Sequence, residues 1–173
     1  MGYYNPLLAY GEAAVADDSA AAGADGFIVV DLPPEHSAGF LAHCDRNALG
    51  LVPLATPLTS DERLAAIGRV ARGFVYCVSV LGVTGARAEL PPDLAAFVAR
   101  AHRGVAAAGG AAAAPPLAVG FGLSTPAHVE QVGRFEGVSG VVMGSAVVKA
   151  IEAGGVEGMR AFLRTVVPKK AAA

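Results

Sequence analysis

The stretch that decides the fold is residues 117–151, which contains LAVGFGLS (117–124) and GVSGVVMGSAVVKAI (137–151). In each of these, an apolar run typical of a buried strand stops at a turn of small residues, and a helical pattern follows. The two turns are Gly120-Phe121-Gly122 and Gly144-Ser145. Both are therefore predicted at the carboxyl ends of strands, in consecutive strand–helix units.

These two turns are candidates for a phosphate site. Glycine lets a ligand approach the backbone, and the free N–H groups and positive dipole end of a following helix attract an anion. A single Gly-Ser at a strand end is more often only a tight turn with a helix cap. Two such turns on consecutive units are typical of the phosphate cradle that a (β/α)₈ barrel builds after its last two strands.

Composition limits the classes of partner. The chain has 173 residues, of which 54% are hydrophobic and 16% charged, so it can bury a substantial core. Its net charge of −2 and scattered basic residues argue against nucleic acid or an anionic membrane as a partner. No apolar run reaches the roughly 20 residues of a bilayer span, and no leader pattern opens the chain. We expect a soluble, cytoplasmic protein with one domain over residues 1–167 and a frayed tail over 168–173.

Strand and helix patterns alternate along the chain. Besides the two runs quoted above, strands are predicted at residues 1–5 (the tail of a strand), 24–30, 51–57 and 73–80. Helices are predicted at residues 7–23, 35–47, 59–72, 91–107 and 156–167, and after each of the two small-residue turns. Residues 81–87 are too rich in glycine for a helix, and residues 106–114 form a low-complexity link.

Five strand–helix units with nearly all-apolar strands predict an α/β fold with a parallel sheet covered by helices. Two architectures fit this pattern. An open doubly wound sheet needs about this length, whereas a full (β/α)₈ barrel usually needs about 200 residues or more. Five strands and a stub do not close a barrel.

Three side chains are candidates for ligand contact, and each has a plainer alternative. Asp31 directly follows a buried strand, where a carboxylate can reach a ligand or serve only as a turn acid before two prolines. Tyr76 lies within a strand, and its hydroxyl either faces a ligand or is a packed group with one hydrogen bond. Thr84 lies between Gly82 and Gly85, so its hydroxyl can engage a ligand when a glycine-hinged loop closes.

Neither a metal site nor a general acid–base pair is predicted. The four histidines share no metal-ligand spacing, and they are expected to be solvated or capping groups: His36, His43, His102 and His128. Cys44 and Cys77 lie in a candidate helix and a candidate strand, which favours reduced core thiols over a redox pair. The acids at Asp61, Glu62 and Glu89 are typical of helix starts.

With these residues assembled, the chain resembles the tryptophan synthase α subunit family. The resemblance covers nearly the whole chain and rests on a set of motifs in one order. They are YYNP (3–6), GFIVVDLPPE (26–35), TSDER (59–63), YCVS (76–79), GVTGA (82–86), GFG (120–122) and GSAVVK (144–149).

The resemblance implies a fold and an activity. The fold is a TIM-barrel (β/α)₈ type, here an incomplete barrel of about five to six parallel units. The activity is that of a lyase of tryptophan biosynthesis, which cleaves indole-3-glycerol phosphate to indole and glyceraldehyde 3-phosphate. No cofactor is implied for this reaction, since pyridoxal phosphate belongs to the β partner. The implied partner is the tryptophan synthase β subunit, or a β domain fused after Lys169 and Lys170.

The resemblance also assigns site residues. Those implied to bind the substrate phosphate are Gly85, Gly122, Gly144 and Ser145. Those implied to border the rest of the substrate are Tyr3, Tyr76 and Phe121. Thr84 is implied to steer a loop that carries a catalytic acid, and Asp31 is a supporting group.

One departure bears on activity. The catalytic glutamate and aspartate of the family precede the segment that matches residues 1–5, so they are expected upstream of Met1 and no catalytic residue is expected within this chain. Val80 stands where many members carry arginine, which we take as a tolerated variant. Two alternatives remain: a non-catalytic fragment that binds phosphate or contacts a partner, and another phosphosugar-processing TIM barrel. The GVTGA motif argues against the second.

Overall fold

Strands and helices alternate through the chain, of which the computed structural model describes residues 1–79, 89–108 and 114–167. The helices are α1 (Tyr4–Tyr10), α2 (Glu12–Ala21), α3 (Ala38–Arg46), α4 (Asp61–Val70), α5 (Leu94–Ala106), α6 (Pro126–Gly133) and α7 (Ser145–Val166), with a 3₁₀ turn at Pro34–His36. The strands are β1 (Gly26–Ile28), β2 (Gly50–Val52), β3 (Leu54–Ala55), β4 (Val75–Val78), β5 (Leu117–Gly120) and β6 (Val138–Val142).

The strand order is sequential. β1 pairs with β2, and β3, β4, β5 and β6 follow one another in a second sheet. Only Pro53 separates β2 from β3, and its carbonyl accepts the Tyr76 N–H at 3.0 Å, so residues 50–55 join the two sheets. Every pairing among the described strands is parallel, and Gly2 adds a parallel bridge to Val29.

This order decides between the two architectures. A doubly wound sheet reverses its strand order at a switch point, whereas each strand here is added on the same side of the preceding one. The fold is therefore a partial TIM barrel, and the prediction of parallel strand–helix units is confirmed. None of the helices within the described ranges is long and apolar enough to cross a membrane.

The sheet has two apolar faces, because successive side chains of a strand point to opposite sides. On one face, Val75 and Cys77 of β4 pack in the main core with residues of α4 and α5, including Leu64 and Val98. On the other face, Tyr76 belongs to a smaller cluster that also contains the buried residues Val52 and Val78. This second face corresponds to the interior of a barrel.

The burial of the strands falls towards the β6 edge. All residues of β4 and β5 are buried, whereas β6 has no fully buried residue. β6 pairs with β5 on one side and ends the sheet among the described strands. Val142, 37% exposed, is an apolar residue of this edge.

Two helices begin at capping side chains that lie next to the helix in the sequence. The Ser60 hydroxyl accepts the Arg63 N–H at 3.4 Å, and Asp61 and Glu62 occupy the first turn of α4, as predicted. Thr125 caps α6 in the same way by accepting the His128 N–H at 3.2 Å.

The prediction of a strand from Met1 to Asn5 is wrong beyond its first residues. Gly2 makes the strand-type bridge, but helix α1 already begins at Tyr4, because the Asp31 carboxylate accepts the Tyr4 N–H at 2.6 Å. Pro6 lies within the first turn of α1, where no N–H is needed, and it does not close a strand.

Other predicted elements are interrupted. The helix predicted over residues 7–23 breaks at Gly11, whose φ is 101°, and the one over residues 35–47 starts with the 3₁₀ turn and continues as α3. The two helical stretches predicted after Ser145 both lie in α7, with non-helical backbone at Gly154 and Gly155. The predicted loop over residues 81–87, most of the link over residues 106–114 and the tail over residues 168–173 lie outside the described residues.

A pair of glycine variants tests the packing of α4 against α5. A Cβ at Gly68 would collide with the Val105 carbonyl oxygen, whereas a Cβ at Gly133 meets nothing within 4 Å. We expect Gly68→Ala to lower the free energy of unfolding by about 1–3 kcal/mol, because overpacking outweighs the gain in helix propensity. Gly133→Ala, its control, should be neutral or stabilising by up to about 1 kcal/mol. Urea unfolding followed by circular dichroism measures both, and equal midpoints would contradict the packing.

Candidate functional site

A cavity of about 670 Å³ opens at the carboxyl ends of β1, β3, β4 and β5. Among its lining residues are Asp31 after β1, Thr56 after β3, Val78 at the end of β4 and Phe121 after β5. In a parallel barrel this end of the strands carries the active site. The structure thus brings together two of the predicted site residues, Asp31 and Phe121, on the wall of one cavity.

Asp31 connects the end of β1 to the start of α1. Its Oδ1 accepts the Tyr4 N–H at 2.6 Å at an exposed position, where the helix dipole favours a negative charge. Tyr3, 65% exposed, is the N-cap residue of the same helix. The Tyr4 hydroxyl donates to Glu12 at 2.5 Å, and this hydrogen bond raises the pKa of Tyr4 to about 12. Asp31 therefore both accepts a hydrogen bond from the Tyr4 N–H and lines the cavity.

The side chain of Met1 does not line this cavity. Its side chain is 74% exposed, and it is not among the described residues that line the cavity. The next residue, Gly2, makes the parallel bridge to Val29, which does line the cavity. That the catalytic glutamate and aspartate precede Met1 stays a prediction.

Tyr76 and Phe121 meet at the end of β5. Their rings make an edge-to-face contact with centroids 5.9 Å apart. A Cβ at Gly120 would collide with the Tyr76 hydroxyl, so this glycine makes room for the tyrosine. Burial raises the pKa of the Tyr76 hydroxyl.

The turn after β5 has an unusual backbone. Phe121 and Gly122 have φ values of 73° and 75°, which place both in the left-handed region. The buried Ser79 holds this turn, since its hydroxyl donates to the Gly120 carbonyl at 2.7 Å and also contacts the Phe121 carbonyl oxygen. Sequence reasoning assigned Ser79 no role, and no periodicity or spacing signal distinguishes it.

The turn after β6 leads directly into a helix. Gly144 is the N-cap residue of α7 with no side-chain cap, Ser145 is the first helical residue, and both are exposed. The turn after β5 differs from its prediction, because α6 begins only at Pro126, behind the Thr125 cap. Since β5 and β6 are adjacent and parallel, the two turns nevertheless lie at the same end of the sheet.

The charged groups of the cavity are few. Asp31 is the single carboxylate and Arg63 the single cation among its described lining residues. Arg63 also forms a 3.2 Å ion pair with Glu35, and both side chains are about half exposed. Within the described part of the chain, no three His, Cys, Asp or Glu side chains are grouped closely enough to hold a metal ion. Thr84 and Gly85, both predicted site residues, lie outside the described residues.

A family model described as tryptophan synthase alpha chain matches residues 1–170. The chain belongs to this family. A tryptophan synthase alpha chain from Roseiflexus castenholzii is 48% identical over 152 residues, which are 88% of this chain and 54% of that relative. The tryptophan synthase alpha chain of Pelobacter propionicus is 40% identical, and the match covers 99% of this chain and 63% of that relative.

Solved structures of tryptophan synthase share the fold. A tryptophan synthase structure from Mycobacterium tuberculosis matches with a TM-score of 0.79 and 36% identity, over 95% of this chain and 58% of that one. The tryptophan synthase a2b2 complex from Pyrococcus furiosus matches with a TM-score of 0.78 and 39% identity, over 95% of this chain and 62% of that one. The chain thus spans roughly three fifths of the length of these family members.

The two cysteines of this family member provide a test of the core. Cys44 and Cys77 are fully buried, and burial raises the pKa of their thiols to about 11 and about 12. The reactive thiolate is therefore scarce in the folded chain. We expect no reaction with a chromogenic disulfide reagent at mildly alkaline pH in the native state, and release of two equivalents of chromophore in urea. Rapid native reaction of either thiol would contradict the packing of β4 and α3.

Proposed function

We propose that this chain binds the phosphate of indole-3-glycerol phosphate and contributes to the tryptophan synthase α reaction. The observation that carries the proposal is the pair of turns after the adjacent parallel strands β5 and β6. Gly122 lies in the first turn, and Gly144 and Ser145 form the second, at the uncapped start of α7. Free backbone N–H groups and the helix dipole favour an anion at such a place. By family resemblance, Gly85 supplies a further phosphate contact.

The aromatic residues beside the first turn fit the indole half of that substrate. Phe121 lines the cavity, and the buried Tyr76 packs against its ring. The exposed Tyr3 precedes Tyr4, whose N–H the Asp31 carboxylate accepts. The cavity of about 670 Å³ has the size of a small-molecule site. We assign the indole ring to this pair of aromatic residues and, by family resemblance, a supporting role to Thr84.

The chemistry is a retro-aldol cleavage that needs an acid and a base but no cofactor or metal. Positioned proton donors and acceptors handle the indole and glycerol ends, while backbone amides hold the phosphate. Pyridoxal phosphate belongs, in this proposal, only to the β partner. That partner is a β subunit or domain, and the match to an a2b2 complex of Pyrococcus furiosus supports it.

The 173 residues by themselves are proposed to have little lyase activity. Asp31 is the one carboxylate among the described residues of the cavity, and it already accepts the Tyr4 N–H. A single engaged acid does not replace an acid and a base that act together, and such a loss typically costs about 10² to 10⁴ in rate or more. The same observation favours the second candidate function, a non-catalytic module that binds phosphate or contacts a partner.

The phosphate assignment predicts the effect of a charge at Gly144. A Cβ at this residue meets nothing within 4 Å and φ is −105°, so Gly144→Asp should leave the fold intact. Its carboxylate would occupy the anion position and repel the ligand. We expect binding of glycerol 3-phosphate, measured by titration calorimetry, to be abolished.

Two controls accompany this variant. Gly133→Asp adds the same charge at another open position on α6, and Gly144→Ala adds a Cβ without charge. Gly133→Asp should bind glycerol 3-phosphate as the unchanged chain does, and Gly144→Ala should lose much less affinity for it than Gly144→Asp. Unchanged affinity in Gly144→Asp would remove the phosphate site from this turn.

The proposed lack of activity predicts a difference between two chains. An indole-release assay with indole-3-glycerol phosphate as substrate compares two chains. One is the 173-residue chain, and the other is extended upstream of Met1 through three further strand–helix units. We expect activity only in the extended chain, because a glutamate and an aspartate in the added part would supply the proton transfers. Comparable rates would mean that the 173 residues carry the chemistry themselves.

A further inference from the structure

We propose that Ser79 is a positioning residue that aims the backbone amides of the turn after β5 towards the ligand. This inference rests on the proposed function, because it assigns a role within the same phosphate site. Ser79 is 2% exposed and lies just beyond the end of β4. Its hydroxyl contacts the turn, and we propose no contact between Ser79 and the substrate.

The turn that Ser79 contacts is strained. Phe121 has a φ of 73°, and a residue with a bulky side chain rarely adopts this left-handed conformation. Such a backbone persists only where the surroundings fix it. The edge-to-face contact with Tyr76 holds the ring of Phe121, and it does not itself contact the carbonyl oxygens of the turn.

Ser79 supplies the missing constraint on the peptide planes. Its N–H donates to the Gly120 carbonyl at 2.9 Å as part of the sheet, and its hydroxyl adds a second hydrogen bond to that oxygen at 2.7 Å. The hydroxyl also contacts the Phe121 carbonyl oxygen, so one hydrogen is shared between two consecutive carbonyls. Both carbonyls therefore point towards the end of β4.

The direction of these carbonyls sets the direction of the amides. In a trans peptide unit the C=O and the N–H point in opposite directions, and the structure has no cis peptide bond in its described part. The Phe121 carbonyl shares its peptide unit with the Gly122 N–H. Holding this carbonyl against Ser79 turns the Gly122 N–H away from Ser79. In this proposal the bound anion accepts the Gly122 N–H on that side.

The chain offers a matched control for the loss of a buried serine hydroxyl. Ser37 is 1% exposed, and its hydroxyl donates to the Pro34 carbonyl at 2.9 Å. It is not among the described residues that line the cavity beside β4 and β5. Both Ser79→Ala and Ser37→Ala remove one buried hydroxyl donor, so both should lower stability to a similar degree.

The experiment compares Ser79→Ala, Ser37→Ala and the unchanged chain. Titration calorimetry with glycerol 3-phosphate measures affinity, and NMR measures the intraresidue Hα–HN NOE of Phe121, which is strong when φ is positive. We expect Ser79→Ala to bind about three- to tenfold more weakly, the range that one hydrogen bond provides, and to lose the strong NOE. Ser37→Ala should change neither. Should Ser79→Ala fail to fold, Ser79→Cys, whose thiol is somewhat larger than the hydroxyl and only a weak donor, takes its place with the same expectation.

The two readouts separate this inference from the proposed function. If the unchanged chain does not bind glycerol 3-phosphate, the proposed function fails, and the NOE comparison alone decides the role of Ser79. If the chain binds and Ser79→Ala keeps both the affinity and the NOE of Phe121, Ser79 is only a packed serine and the inference is overturned. An equal loss of affinity in Ser37→Ala would also overturn it.

Discussion

The parallel pairing of β4 with β5 is the interaction on which the candidate site depends. It sets Tyr76 opposite Ala118 and Val78 opposite Gly120, and all residues of both strands are buried. Because the strands run in the same direction, their carboxyl ends meet at one edge of the sheet. The turn after β5 is then held by groups from β4 and the residue that follows it. A shift of register by one residue would move Tyr76 to the helix-covered face and leave the turn without its supports.

The two faces of this strand pair pack against different parts of the molecule. Val75, Cys77, Leu117 and Val119 belong to the core under the helices, and burial of each such side chain contributes about 1.5–3 kcal/mol. Tyr76 lies on the other face, in a smaller buried cluster against which Phe121 packs. A rigid pair of strands thus carries a turn whose backbone is strained, which is a common arrangement for ligand-binding loops.

The sequence was informative where the determining interactions are local. Apolar runs ending at Gly120 and at Gly144 indicated strand ends, and the acids Asp61 and Glu62 indicated the start of α4. The sequence did not indicate interactions between residues that lie far apart along the chain. Helix α1 begins at Tyr4 because of Asp31, which is 27 residues away, and the hydroxyl of Ser79 reaches a carbonyl 41 residues away. No pattern within a window of the sequence contains such pairs.

Gly120 shows a further limit of prediction from the sequence alone. Its position in a small-residue turn suggested close approach of a ligand, whereas the structure fills that space with the Tyr76 hydroxyl. A glycine at a strand end is thus consistent with either a ligand or a neighbouring side chain, and only the pairing of β4 with β5 distinguishes them. The sequential order of all the described strands, and not the count of strand–helix units, identified the barrel.

In our proposal the turns after β5 and β6 form one anion site. Backbone amide chemical-shift mapping of the chain during titration with glycerol 3-phosphate tests this most directly. We expect the largest saturable shifts at Gly122, Gly144 and Ser145. Shifts concentrated at Arg63 and the start of α4, with these three amides unmoved, would contradict it.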